Sequence, residues 1–206
     1  MKKIMFNNKY GLTRAVLEGR KTQTRRIAYI GNAPIIDCGI CVEMKNFGRA
    51  TLIRGIDEIA HSNYCVGEEV AVAQAYCELV SEAGINEAEI NKLRNSKGWS
   101  NKMFVKADLM PHRIHITDIR AERLQDISED DCLAEGIKEI YETNVDDPKE
   151  FYGYAFLPDA SPCPAHCYCE AQEAYAALID KISGKGTWAS NPYVFVYEFE
   201  LIKTRK

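Results

Sequence analysis

No run of about 18 consecutive apolar residues occurs in the chain, which excludes a membrane-spanning helix and, with it, a membrane partner. The opening, Met1-Lys2-Lys3-Ile4-Met5-Phe6-Asn7-Asn8, lacks the apolar centre of a secretion signal. Internal repeats and low-complexity tracts are absent. Positive charge is not in excess: 26 Lys and Arg face 30 Asp and Glu, for a net charge of −4, which excludes a uniformly basic coat for nucleic acid. Together these absences read as a cytoplasmic protein. The eight cysteines would suit a disulfide scaffold in a short secreted chain, so here they are expected to be free thiols or metal ligands.

What is present is ordinary globular composition, 46% hydrophobic and 27% charged over 206 residues. That length predicts one domain spanning 1–206 with insertions at about 31–66, 78–102 and 141–169. Charge is unevenly spread. Residues 1–26 carry a local excess of seven positive charges, and residues 122–150 a local excess of eight negative ones. Either the basic segment is a patch that focuses a polyanion, or the two segments attract each other.

Hydrophobic spacing predicts a short helix over 8–18, with Leu12, Ala15 and Val16 as its stripe, Asn8 as N-cap and Gly19 as its left-handed stop. Residues 22–30 look extended, with Thr24 and Arg26 on one face and Arg25 and Ile27 on the other. Residues 31–66 read as loops and short strands, 70–76 as a buried strand, 85–94 as a solvent-facing helix, and 113–124 as a strand. Ser128 is an N-cap with three acids behind it, opening a helix that runs to Glu135 and stops at Gly136. Residues 141–169 read as a long surface loop. A second amphipathic helix covers Ala171–Ser183, and Tyr193–Ile202 alternates as a strand. Short strands with helices at their ends predict an α+β protein on a small, mostly antiparallel barrel.

The segment Gly19-Arg20-Lys21-Thr22-Gln23-Thr24-Arg25-Arg26 is the richest in chemistry. A lysine acts as a base only when burial or neighbouring cations lower its pKa, and Arg20, Arg25 and Arg26 supply cations here. A threonine hydroxyl becomes a nucleophile only beside a base. The segment therefore carries activated-hydroxyl chemistry, an anion-binding surface, or a solvated basic helix end.

Gly19-x-Lys21-x-x-Thr24-x-Arg26 resembles the N-terminal signature of the ASCH domain, a branch of the PUA-like barrels. Three further segments resemble that family in its order: Val66–Val72; Arg120–Leu124 followed by Ile127–Gly136; and Trp188–Phe199 with its Asn191-Pro192 lead. The long insertions are similar to those of members carried by phages and mobile elements. The resemblance implies a PUA-like barrel. It also implies similarity to N4-acetylcytidine amidohydrolases, whose proposed catalytic set maps onto Lys21, Thr24 and Glu135. That branch is about half as long and lacks insertions of this size.

Under this resemblance Lys21 takes a proton from Thr24, Thr24 attacks an acyl carbon, and Arg26 or a backbone N–H stabilises the oxyanion. Glu135 orients Lys21 or relays a proton. An ionised Glu135 would raise the pKa of Lys21, so either Glu135 is protonated or Lys21 acts as a charged stabiliser. No cofactor is implied. The competing reading is a binding module for a nucleobase, nucleoside or RNA, or an accessory protein acting through protein contacts. In it, Arg20, Lys21, Arg25 and Arg26 contact phosphate, Trp188 or Tyr193 stacks on a base, and Glu68, Gln74 and Asn191 complete the pocket. Cys163, His166, Cys167 and Cys169, with Cys38 and Cys41 at C-x2-C spacing, form a weaker zinc candidate whose alternative is a loop of free thiols.

Overall fold

Tyr193–Ile202 holds the centre of the molecule. Val194 to Tyr197 are all buried, so this strand is covered on both faces rather than on the single face its alternation predicts. The structure, a computed structural model, describes residues 1–36, 41–46, 48–54, 58–80, 87–142, 150–157, 159–160, 162 and 167–202.

In chain order the elements are β1 (Lys3–Ile4), α1 (Leu12–Leu17), β2 (Gln23–Ile27), β3 (Tyr29–Ile30), β4 (Ala33–Pro34), β5 (Cys41–Asn46), β6 (Arg49–Arg54), β7 (Glu58–His61), β8 (Glu69–Val72), α2 (Tyr76–Leu79), α3 (Glu87–Arg94), β9 (Arg113–Arg123), α4 (Glu129–Ala134), β10 (Lys138–Glu142), β11 (Glu150–Ala155), α5 (Ala171–Ser183), α6 (Thr187–Ser190) and β12 (Tyr193–Ile202). This is a mixed α+β architecture. No helix among the described residues is long and apolar enough to cross a membrane.

The main sheet runs β1-β8-β9-β12-β2, with β1 parallel to β8 and every other pair antiparallel. Of the small, mostly antiparallel barrel expected above, the mostly antiparallel sheet is present; β1 and β2 are its two edges and do not pair with each other among the described residues. Side chains bridge the seam instead. Arg26 Nη2 donates to the Met5 carbonyl at 2.7 Å, and the guanidinium lies 5.9 Å from the Phe6 ring centroid. A backbone with only two paired residues in β1 leaves room there for a cavity.

Residues 31–66 supply a separate antiparallel sheet, β5-β6-β7. The expectation of a loop over 141–169 is corrected in part, because β10 and β11 form a hairpin with a register shift at Ile140/Tyr141. Its Pro- and Asp-rich composition concealed aromatic strand partners: the Tyr141 and Tyr154 rings lie 5.9 and 5.1 Å from that of Phe151. Gly153 is required because a Cβ there would stand 2.7 Å from the Tyr168 carbonyl oxygen.

α1 starts later than predicted, at Leu12 after Gly11, because Asn7 and Asn8 carbonyls already accept from Leu12 and Gly11 in a turn. Its end follows the prediction, with Gly19 at φ +75°. The start of α4 follows its cap: the Ser128 hydroxyl accepts from the Asp131 N–H at 3.1 Å, and Glu129, Asp130 and Asp131 occupy the first turn. Replacing Ser128 by Ala should destabilise the protein by about 1 kcal/mol in denaturant titration, the usual cost of losing an N-cap oxygen.

Candidate functional site

Two helix ends meet at the seam. The turn after α1 brings the Arg20 and Lys21 N–H groups back to the Ala15 carbonyl, at 2.9 and 3.0 Å, and turns Lys21 inward. The Thr22 N–H donates to the Ala134 carbonyl at 2.9 Å, which fixes this turn to the C-terminal end of α4. Glu135 is the residue that caps that end. Lys21 Nζ donates to the Glu135 carbonyl at 2.7 Å and to its carboxylate at 2.5 Å. An ammonium at a helix C-terminus is favoured by the helix dipole, so the contact is electrostatically sound apart from any chemistry. Gly136, at φ +103°, follows at once, 3.7 Å from the Lys21 Cβ if it carried a Cβ of its own.

Lys21, Thr24 and Glu135 all line one cavity of about 320 Å3. Its position explains the open seam. Met5, Phe6 and Asn7, just after β1, form one side, and Thr24 to Ile27 of β2 form the other. Tyr175, Leu178 and Ile179 of α5 close a third side. A cavity of this size with apolar walls and a few convergent polar groups suits a small organic ligand.

Lys21 is wholly enclosed, its side chain 1% exposed. Burial holds its ammonium below the ordinary lysine value of 10.5; the Glu135 carboxylate pulls the other way, and Arg26 and Arg25 add to the lowering. Burial, with the charge of Glu135 added, raises the Tyr175 hydroxyl well above its usual value and keeps it a neutral donor. Burial also pushes the Cys132 thiol up to about 12, so this cysteine is inert.

Arg25 is placed otherwise than a phosphate ligand would be. Its side chain is 0% exposed. All five donors are spent: Nε on Glu122 at 3.0 Å, Nη1 on Gln23 at 3.3 Å and Glu135 at 3.2 Å, Nη2 on Glu122 and Asp131 at 2.6 Å each. Burial opposes the guanidinium's charge, but Glu135 and Glu122 outweigh it and its pKa is raised. Arg120 extends the network to Glu122 and Asp131 at 2.9 Å each and to Glu198. The basic and acidic segments thus attract each other, the second of the two readings of the charge asymmetry.

The other residues singled out in the sequence are dispersed. Arg20 pairs with Glu18 at 2.7 Å on the surface. Glu68 accepts from Lys2 and from the Cys65 N–H at 3.0 Å each, which organises a turn. Gln74 lies in a separate open cavity with Asn8, Thr13 and Glu78, its amide oxygen buried and without a hydrogen-bond partner among the described residues. Trp188 packs edge-on to Tyr175 at 6.2 Å, Asn191 accepts from the Gln125 N–H at 2.9 Å, and the Tyr193 ring lies under the Arg123 guanidinium at 4.3 Å. None of these six borders the Lys21 cavity. Cys163, His166 and Cys38 lie outside the described residues, as does the side chain of Cys41. Cys167 and Cys169 are not in disulfides, and no group of three metal-ligating side chains occurs among the described residues.

The sequence reading missed Asn7, Tyr29 and Tyr175 on the cavity wall, since single amides and aromatics in turns and stripes carry no motif. It also missed the Arg25 partners, although strand alternation had already set Arg25 apart from Thr24 and Arg26. No known family model, curated protein or solved structure matches the chain.

Removing Arg25 leaves the Glu122, Asp131 and Glu135 carboxylates without their shared counter-charge. Arg25→Ala should therefore cost about 3–5 kcal/mol in urea unfolding, against under 1 kcal/mol for exposed Arg14→Ala. The network also predicts an acid limit. Burial raises the Asp131 carboxyl, but hydrogen bonds from Arg25 and Gln23, with the charges of Arg25 and Arg120, hold it below the ordinary 3.8. Its contribution is complete above that ordinary value and is lost as the pH falls through the depressed folded one. In acid unfolding, Asp131→Asn should be less stable than the parent at neutral pH, and the gap should narrow below about pH 4.

Proposed function

We propose that the chain is an ASCH-like, PUA-type protein that binds a modified nucleobase in the seam cavity and hydrolyses its N-acyl amide, N4-acetylcytidine being the type substrate. The single observation that supports this reading is a wholly buried lysine, lowered in pKa and gripped by a carboxylate, that lines the same small cavity as Thr24. Burial outweighs the attraction of Glu135, which eases the conflict between the base role of Lys21 and its acidic neighbour.

The neutral amine of Lys21 takes the proton of Thr24 as the hydroxyl oxygen bonds to the acyl carbon. The carbonyl oxygen becomes an oxyanion that Arg26 and the neutral Tyr175 hydroxyl, both on the cavity wall, are available to receive. The C–N bond then breaks, and the Lys21 ammonium returns its proton to the leaving amino group. Water hydrolyses the threonine ester, releasing the carboxylic acid and restoring Thr24. Glu135 keeps Lys21 in place throughout.

A binding module without turnover is the second reading. It is favoured by the closed ion pair between Lys21 and Glu135, which also stands as a structural strut. Phosphate recognition by Arg25 is not part of it, because that guanidinium is fully committed.

The two are separated by following the absorbance of N4-acetylcytidine on mixing with the protein. Turnover should occur, rise with pH as Lys21 loses its proton, and fall at least about 100-fold in Lys21→Ala and in Thr24→Val. Absence of turnover, together with salt-sensitive RNA binding, would favour the binding module.

A further inference from the structure

The seam cavity has two chemically different ends. Lys21, Thr24 and Glu135, all buried, form the inner one. The outer one is lined by three large apolar side chains from three separate segments, each left in contact with water: Met5 at 38%, Tyr29 at 49% and Ile182 at 36% exposure. Single exposed apolar residues are unremarkable, but three converging on the mouth of a polar-ended cavity form a binding surface. The lining also holds uncommitted hydrogen-bonding groups, on half-buried Asn7 and exposed Asn63. The Asn7 amide oxygen accepts from the Lys9 N–H at 2.9 Å, while its nitrogen makes no hydrogen bond among the described residues. The Asn63 side-chain amide makes none there either; only its backbone is engaged, by Lys2 and by the Tyr197 hydroxyl.

We infer that the mouth is a subsite for a planar heteroaromatic ring, with Tyr29 as its stacking face, Met5 and Ile182 as its flanks, and Asn7 and Asn63 reading the polar edge. A thioether, a phenol ring and a branched alkyl group accept a flat face without demanding hydrogen bonds. The Asn63 amide offers donor and acceptor side by side and the Asn7 amide an uncommitted N–H, which matches the mixed pattern of a pyrimidine edge. A short aliphatic amide would leave both the rim and the amides unused. The inference deepens the hydrolase reading, on which it rests for one point only: the acyl group enters first, toward Thr24, and the ring stays at the mouth.

The test is run without turnover. Thr24→Val in the full chain is titrated calorimetrically with cytidine, and with ribose as the control. Cytidine should bind and ribose should not. Adding Tyr29→Ala should weaken cytidine about tenfold, Tyr29→Phe should restore it, and Asn7→Ala should weaken it several-fold. Unchanged cytidine affinity in Tyr29→Ala, or cytidine heats no larger than those of ribose, would overturn the subsite. N4-acetylcytidine turnover by the parent protein is scored separately. Turnover indifferent to Tyr29→Ala removes the subsite and leaves the hydrolase, whereas ring binding without turnover removes the hydrolase and leaves the subsite.

Discussion

One carboxylate, Glu135, is held from two sides. Lys21 takes one oxygen at 2.5 Å and Arg25 the other at 3.2 Å, both out of water. Much else follows from that grip. It ties the turn after α1 and the strand β2 to the end of α4, and sets the inner wall of the cavity between the two edges of the main sheet. Burying these charges is costly, and the cost is offset only because almost every lone pair and donor finds a partner. Glu122, Asp131 and Arg120 complete that accounting around Arg25.

The same arrangement explains why the sheet stays open at the place where chemistry is proposed. A fully paired barrel would fill the seam with backbone. Here a two-residue β1 ends early, and Arg26 spans the gap to Met5 with a side chain rather than a ladder. The result is a pocket with an ionic floor and an apolar lip, made from segments distant along the chain.

Much of this was legible in the sequence. The Ala171–Ser183 stripe, the Ser128 cap with its acids, the Gly19 stop and the alternation of Tyr193–Ile202 each carry a strong local signal, and each element forms where that signal lies. The contact of Lys21 with Glu135 follows from no local rule, since the two residues lie 114 positions apart along the chain. The role of Arg25 was half-visible. Alternation put it on the far face of β2, and the acidic excess over 122–150 named its partners in bulk, but choosing Glu122 and Asp131 required the fold. Of the lip residues, Ile182 was legible only as part of the α5 stripe, and Met5 and Tyr29 gave no signal, because an exposed apolar side chain has no pattern until its neighbours are known.

The central claim is that the fold makes the Lys21 amine easier to deprotonate than a free lysine. Carbon-13 NMR of lysine labelled at Cε, with Lys21 assigned by its loss in Lys21→Arg, measures this directly. The account requires the Lys21 resonance to titrate below the ordinary value of 10.5. A midpoint at or above that value would show that Glu135 dominates and that the pair is a structural strut.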